Sequence, residues 1–209
     1  KPADRWRVDA RRHYIRNPHL YSTTTQSEGT TQPTSTTRPF EEVAQDALEA
    51  VIAPEVERQQ AAIISRINQI LTVDWNTFRA AKQGEVAQTS LGVPFDSYEY
   101  LQKLSERIEE QFKVKITLGA SGTLLGANEF GQLGRIAEAS TGAGVPFSMY
   151  ATLTEQRRKD ALRFMPGLPQ VPELWQFSQT LRDEDSNIYI FRRTAFEPEH
   201  SPASLDEVR

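Results

Sequence analysis

Apolar side chains recur along much of this chain at intervals of three and four residues, and that period predicts a mainly helical body. Val43, Ala44, Ala47, Leu48, Val51 and Ile52 share one stripe of a helix that begins near Glu41. Pro54 interrupts the pattern. Proline is accommodated in a first helical turn, so it either opens a second helix with Val56, Ile63, Ile64, Ile67, Ile70 and Leu71 inside, or marks one kinked rod. Asp74 is placed to cap a short helix through Lys82, with Trp75 and Phe78 as packing residues and Gly84 as the stop. Asp96 and Glu99 have the spacing of a capping box, and Tyr98, Leu101, Leu104, Ile108 and Phe112 mark the amphipathic helix that follows.

The period then changes. Val114, Ile116 and Leu118 alternate with Lys113, Lys115 and Thr117, as in a strand with one wet face, and Gly119 and Gly122 predict a turn into a second short strand at residues 123–127. Asn128 is expected to cap a helix bearing Phe130, Leu133, Ile136 and Ala137, ended by Gly142 and Gly144. Thr152 or Thr154 starts another, stopped at Pro166-Gly167. Pro172 opens a short helix with Leu174, Phe177, Ser178 and Leu181. Residues 188–193, apolar on both faces, read as a strand inside a sheet or between sheet and helices.

These elements predict an α+β fold, predominantly helical: a compact helical body with a small β-sheet of two or three short strands, and extended amino- and carboxyl-terminal arms. Residues 1–40 form the basic, Thr/Ser-rich arm, 41–197 the body and 198–209 the second tail. At 209 residues with 38% hydrophobic composition the chain has enough apolar surface for one ordinary core. No repeat is apparent, and no run approaches the roughly 18 apolar residues of a membrane-spanning helix. The chain begins at Lys1, a start compatible with removal of an upstream segment from an organellar precursor or with trimming.

Cysteine is absent, and the three histidines, His13, His19 and His200, lie in the tails. Ser-His-Asp and Cys-His catalysis, zinc hydrolysis and dithiol redox chemistry therefore have no residues to use in the body. No catalytic residue, metal or cofactor is expected.

Charge divides the chain. Residues 1–40 hold seven basic and three acidic side chains, net +4, while the remainder holds seventeen and twenty-five, net −8. A basic arm on an acidic body suits a segment that reaches toward an anionic partner. Within it Ser22 to Thr37 has eight threonines and three serines among sixteen residues, too little apolar surface to offset its own ordering entropy. Arg5, Trp6, Arg7, Arg11, Arg12, Tyr14 and Arg16 are the expected partner contacts, because arginine and aromatic side chains are enriched at protein interfaces. The same mixture suits bases and phosphates. Arg157, Arg158, Lys159 and Arg163 form a second candidate anion or partner patch on a predicted helix.

Other clusters carry less. Gly119, Gly122 and Gly126 lack the Lys-Ser/Thr and the spacing of a phosphate loop, which leaves a glycine-assisted hairpin. Asp183, Glu184, Asp185 and Asn187 do not fit a calcium loop and read as a solvated turn. Glu41-Glu42 and Glu109-Glu110 are surface pairs.

Val73-Asp74-Trp75 after a long helix, with Val93-Pro94 downstream, resembles a short pattern in the d subunit of mitochondrial ATP synthase, a peripheral-stalk component. The resemblance covers about twenty residues, has no counterpart in the carboxyl-terminal half and carries over no functional residue. It illustrates the class that the composition favours: a non-catalytic structural subunit of a larger multiprotein complex, clasping other subunits through its arms. An organellar complex such as a mitochondrial ATP synthase or respiratory assembly, or a virion particle, fits equally. The alternative is a nucleic-acid-coating protein, nucleocapsid or ribosome-associated, with phosphates neutralised by the amino-terminal arginines. A third class is an enzyme using only Asp, Glu, Lys, Arg, Ser or Tyr.

Overall fold

The arginine-rich segment, expected to be extended, is a helix over Ala3–Arg16 (α1) in the computed structural model, which describes residues 3–25, 34–81 and 88–197. Its spacing gives the reason. Trp6, Ala10 and Tyr14 fall four apart and turn inward, while the arginines face out. Ala10 is buried with Tyr21, Val43 and Ala47, and Tyr14, Phe40 and Leu48 pack on this cluster. In the polar stretch that follows, Ser22–Thr25 (β1) and Thr34–Thr37 (β2) pair antiparallel with Ser22 opposite Thr37. The Arg38 N–H donates to the Tyr21 carbonyl at 2.9 Å and ties the base of this pair to the apolar cluster. The expected tail at residues 198–209 lies outside the described residues.

Phe40–Ala80 is one helix, α2, with Pro54 inside it rather than at the start of a second helix. Asp74, expected to cap a new helix, lies within α2 because Ile70, Leu71, Trp75 and Phe78 carry the apolar stripe across it. Lys82 and Gly84, the expected end of that short helix, lie outside the described residues. The chain divides into two units, Lys1–Asn68 and Gln69–Arg209, and the division falls inside α2. The described residues of 3–39 thus share a unit with α2 as far as Asn68.

In the second unit, Tyr98–Phe112 (α3) forms as its stripe predicts and buries Tyr100, Leu104 and Ile108. Its cap is Ser97 rather than Asp96: Ser97 Oγ accepts the Tyr100 N–H at 3.1 Å. Lys113, at φ 57°, ends the helix in the left-handed region, and its N–H reaches the Glu109 carbonyl at 2.8 Å. Beyond it Val114, Ile116 and Leu118 are half-buried while Lys113, Lys115 and Thr117 are exposed, the predicted alternation. No strand among the described residues pairs with them, so no ladder forms, and the Ile116 N–H goes to Glu109 Oε1 at 2.7 Å. The strand expected at 123–127 is also absent. Ala127–Glu138 is 3-10 helical, with Gly126 rather than Asn128 at the cap and Gly134 at φ 72° inside it.

Ser140–Thr141 (β3), Leu181–Arg182 (β4) and Ile188–Tyr189 (β5) form an antiparallel sheet in the order β3-β4-β5. Among the described residues β5 is therefore an edge strand, so of the two expected placements the one inside a sheet does not hold. Phe147–Thr152 (α4) and Glu155–Ala161 (α5) lie between β3 and β4 in sequence. Thr154 caps α5 by accepting the Arg157 N–H at 3.2 Å, and α5 stops before Pro166. Ala139, Val145, Phe147, Tyr150, Leu153, Leu168 and Leu181 make the core.

The helix expected after Pro172 does not form. The Trp175 N–H donates to the Arg193 carbonyl at 2.8 Å and the Ser178 N–H to the Phe191 carbonyl at 2.7 Å, so these donors face a neighbouring segment instead of the preceding turn. Trp175 itself sits at φ 69°, outside helical space. Helices hold 55% of the described residues, and the fold is α+β, predominantly helical. No helix among the described residues is long and apolar enough to cross a membrane.

Candidate docking surfaces

α1 separates its candidate contacts into two faces. Arg5, Arg7, Arg11, Arg12 and Arg16 are exposed, whereas Trp6 and Tyr14 are half-buried on the inner side. Tyr14 Oη donates to the Arg38 carbonyl at 2.7 Å, and its ring lies 5.4 Å from Tyr21 and 5.5 Å from Phe40. It is an internal anchor. Among the arginines stand two aliphatic side chains: Val8 is 50% exposed and Ile15 66%, two turns apart on the outer face. Beside them Asp9, Arg12, His13, Arg16, Asn17 and Val51 line an open cleft of about 340 Å³. Arg12 pairs with Asp9 at 3.6 Å, and His13 Nδ1 lies 3.0 Å from Tyr21 Oη. An exposed pair of this kind contributes little to stability and leaves the guanidinium available to another molecule.

The second patch also splits. Arg158 is half-buried and its Nε donates to the Pro169 carbonyl at 2.8 Å, so it fastens α5 to the segment beyond it. Arg157, Lys159 and Arg163 are exposed. Next to them Phe164 is 85% exposed, far outside what an aromatic side chain ordinarily shows.

The most elaborate polar site among the described residues is internal, and no local pattern marks it. Asp74 is 1% exposed within α2. Its Oδ1 accepts the Ser90 N–H at 2.6 Å, and its Oδ2 accepts Ser90 Oγ and Tyr100 Oη, each at 2.8 Å. Gly92, at φ 73°, lets the chain turn back just after Ser90. Above this clasp the Arg192 guanidinium donates to the Phe95 and Ser97 carbonyls and lies 5.3 Å from the ring centroids of both Trp175 and Phe177. Burial lowers the Arg192 pKa from its usual value, with Asp96 opposing. Arg193 donates to the Leu153 and Pro172 carbonyls.

Burial first, and then the hydrogen bond to Asp74, push the Tyr100 phenol well above the ordinary 10.0. A folded-state pKa raised above the unfolded one gives a contribution that is complete below about pH 10 and is lost as pH climbs from there. Denaturant titrations at pH 8 to about 11 should therefore show stability falling with alkali, and Tyr100→Phe should flatten part of that slope. An unchanged slope in the variant would place the alkaline loss on other groups.

The remaining candidates are structural. Asp183 accepts the Asn187 N–H and Asn187 Nδ2, each at 2.8 Å, and Tyr189 Oη at 2.7 Å. The Asn187 side chain leads in holding the Asp183 carboxyl below the usual range, and these bonds shape the turn between β4 and β5. The Gly126 N–H donates to Glu129 Oε2 at 2.8 Å instead of standing open to an anion. Glu41, Glu42 and Glu110 are exposed, whereas Glu109 is half-buried on the Ile116 N–H. Among the described residues no three His, Cys, Asp or Glu side chains gather as metal ligands would.

No family model, no curated protein and no solved structure matches this chain.

Proposed function

We propose that this chain is a non-catalytic assembly subunit that docks other protein subunits through the outer face of α1. The observation that carries the reading is the composition of that face: five exposed arginines around Val8 and Ile15, on a helix whose inner face is already used. Arginine with aliphatic side chains suits a protein surface with carboxylates at its rim. An organellar complex and a virion both remain settings for such a subunit.

Apolar residues in α2 support the same reading. Residues 48–69 include Ile52, Val56, Ile63, Ile64 and Ile67, yet none of these 22 positions is fully buried, and Val56 is 45% exposed. The density of arginines in α1 favours a second reading, nucleic-acid coating. The inward turn of Trp6 and Tyr14 weighs against it, because base stacking needs open aromatic faces.

The test places a photoreactive group at position 11 and follows incorporation of the full chain into its native complex. Crosslinks to another polypeptide are expected. Val8→Asp with Ile15→Asp should weaken incorporation at least about 100-fold, since burying two aliphatic side chains is worth about 3 kcal/mol or more, while the thermal midpoint of the isolated chain stays put. Crosslinks to nucleic acid, with affinity falling steeply with salt, would replace this reading with the second. A chain that stays monomeric and unlinked would remove both.

A further inference from the structure

Phe164 is 85% exposed and Met165 37%, directly after the basic face of α5. The backbone of this tip is fastened on both sides. The Phe164 and Met165 N–H groups both reach the Ala161 carbonyl at 2.9 Å, and the Leu168 N–H reaches the Met165 carbonyl at 3.1 Å. Leu162 packs on the core before the tip and Leu168 is buried after it. Gly167 passes so near Ala143 that an added Cβ would lie 3.2 Å from the Ala143 Cβ. Arg158, bonded to the Pro169 carbonyl, closes the loop. The backbone that carries the ring is thus a preorganised turn, which lowers the ordering cost of docking.

We propose that Phe164 and Met165 form a docking knob that seats in an apolar pocket, rimmed by carboxylates, on another polypeptide of the assembly. The charge around the knob selects that chemistry. Lys159 on α5 and Arg163 in the turn just beyond it are both exposed, and neither has an ion pair among the described residues. Phe, Met and Arg are the residue types that interface centres favour. A membrane surface fits less well. Asp160 is exposed on the same turn, held toward Gln156 at 3.1 and 3.2 Å, and anionic headgroups would repel it, whereas a protein rim can offer it a donor.

The knob lies in the second unit, remote in sequence from α1, and it rests on the assembly reading by giving the subunit a second contact. The test uses the full chain within its native complex. Benzoylphenylalanine at position 164 should photolink to one site on another polypeptide, and carbodiimide should join Lys159 to a carboxylate beside that site. Phe164→Ala should then weaken binding of that purified partner about 30-fold, Lys159→Glu with Arg163→Glu at least about 10-fold, and neither should shift the thermal midpoint. Links only within this chain, links to lipid or nucleic acid, Phe164-dependent binding to vesicles of equal parts phosphatidylcholine and phosphatidylserine, or no link at all would each overturn the proposal. If these variants are silent while the Val8 and Ile15 variant is not, the knob alone fails. If both are silent, the assembly reading falls with it.

Discussion

Asp74→Ala should lower the stability of the folded chain by about 4 kcal/mol, read as a drop in denaturant midpoint. The carboxylate is 1% exposed and has three donors, the Ser90 N–H, Ser90 Oγ and Tyr100 Oη. Truncation removes the acceptor from all three. An orphaned donor costs about 1–3 kcal/mol, and bonds to a charged group stand at the upper end. Rotation of the two hydroxyls toward other acceptors and entry of water into the vacated space would keep the total below the sum of the three. Asp74→Asn keeps the shape and one carbonyl oxygen for the Ser90 N–H, but it sets an amide nitrogen where hydroxyls now donate, so about 2 kcal/mol is expected. A loss under about 1 kcal/mol for the alanine variant would mean that the clasp contributes no net stability, as some buried ionic groups do not.

The second large effect is at Arg192. Its guanidinium serves two carbonyls, those of Phe95 and Ser97, and lies against the rings of Trp175 and Phe177. Arg192→Met keeps the stem and removes the donors, leaving the Phe95 and Ser97 carbonyls without them and ending both ring contacts. About 3 kcal/mol is expected from the charged hydrogen bonds and cation–π contacts together. Arg192→Lys should recover only part of that, because a single ammonium cannot reproduce a planar fork that reaches two carbonyls while lying on aromatic faces. Calorimetric midpoints in the order wild type, Lys, Met are the expected result. Equal midpoints for Lys and Met would show that the fork geometry is irrelevant and that only the charge or the stem counts.

How much of this was legible follows from where each element gets its stability. α3 could be read because its apolar stripe is local, although its cap is Ser97, one residue past the expected Asp96, and its left-handed end at Lys113 falls where a strand was expected. The start of α5 was legible to within two residues, Thr152 or Thr154, and the cap is Thr154. α1 was misread because five arginines hid a sparse inner stripe. Trp6, Ala10 and Tyr14, four apart, were the available signal. The stretch after Pro172 has an acceptable helical pattern, and only the contacts of Trp175 and Ser178 with residues 191–193 pull it away. Those contacts are long-range and leave no mark on the local period. Val114 to Leu118 shows the converse, a correct alternation that lacks a neighbouring strand.

The candidate site was legible in part. The arginines of α1 and the charges of α5 face solvent as amphipathic reasoning requires, but Tyr14 and Arg158 are used internally. Once α1 is recognised as a helix, the inner stripe of Trp6, Ala10 and Tyr14 puts Val8 and Ile15 on the other side, whereas exposure of Phe164, in a turn beyond α5, has no local period to mark it.

Arg192 and Arg193 are neighbours in an extended segment, so their side chains leave in opposite directions, one toward Phe95 and Ser97, the other toward Leu153 and Pro172. One dipeptide therefore stitches together stretches of the second unit made long before it. During vectorial synthesis the earlier stretches must wait, with aromatic rings uncovered, until this dipeptide emerges from the ribosome. A nascent chain paused upstream of it would be a ready client for a holdase chaperone.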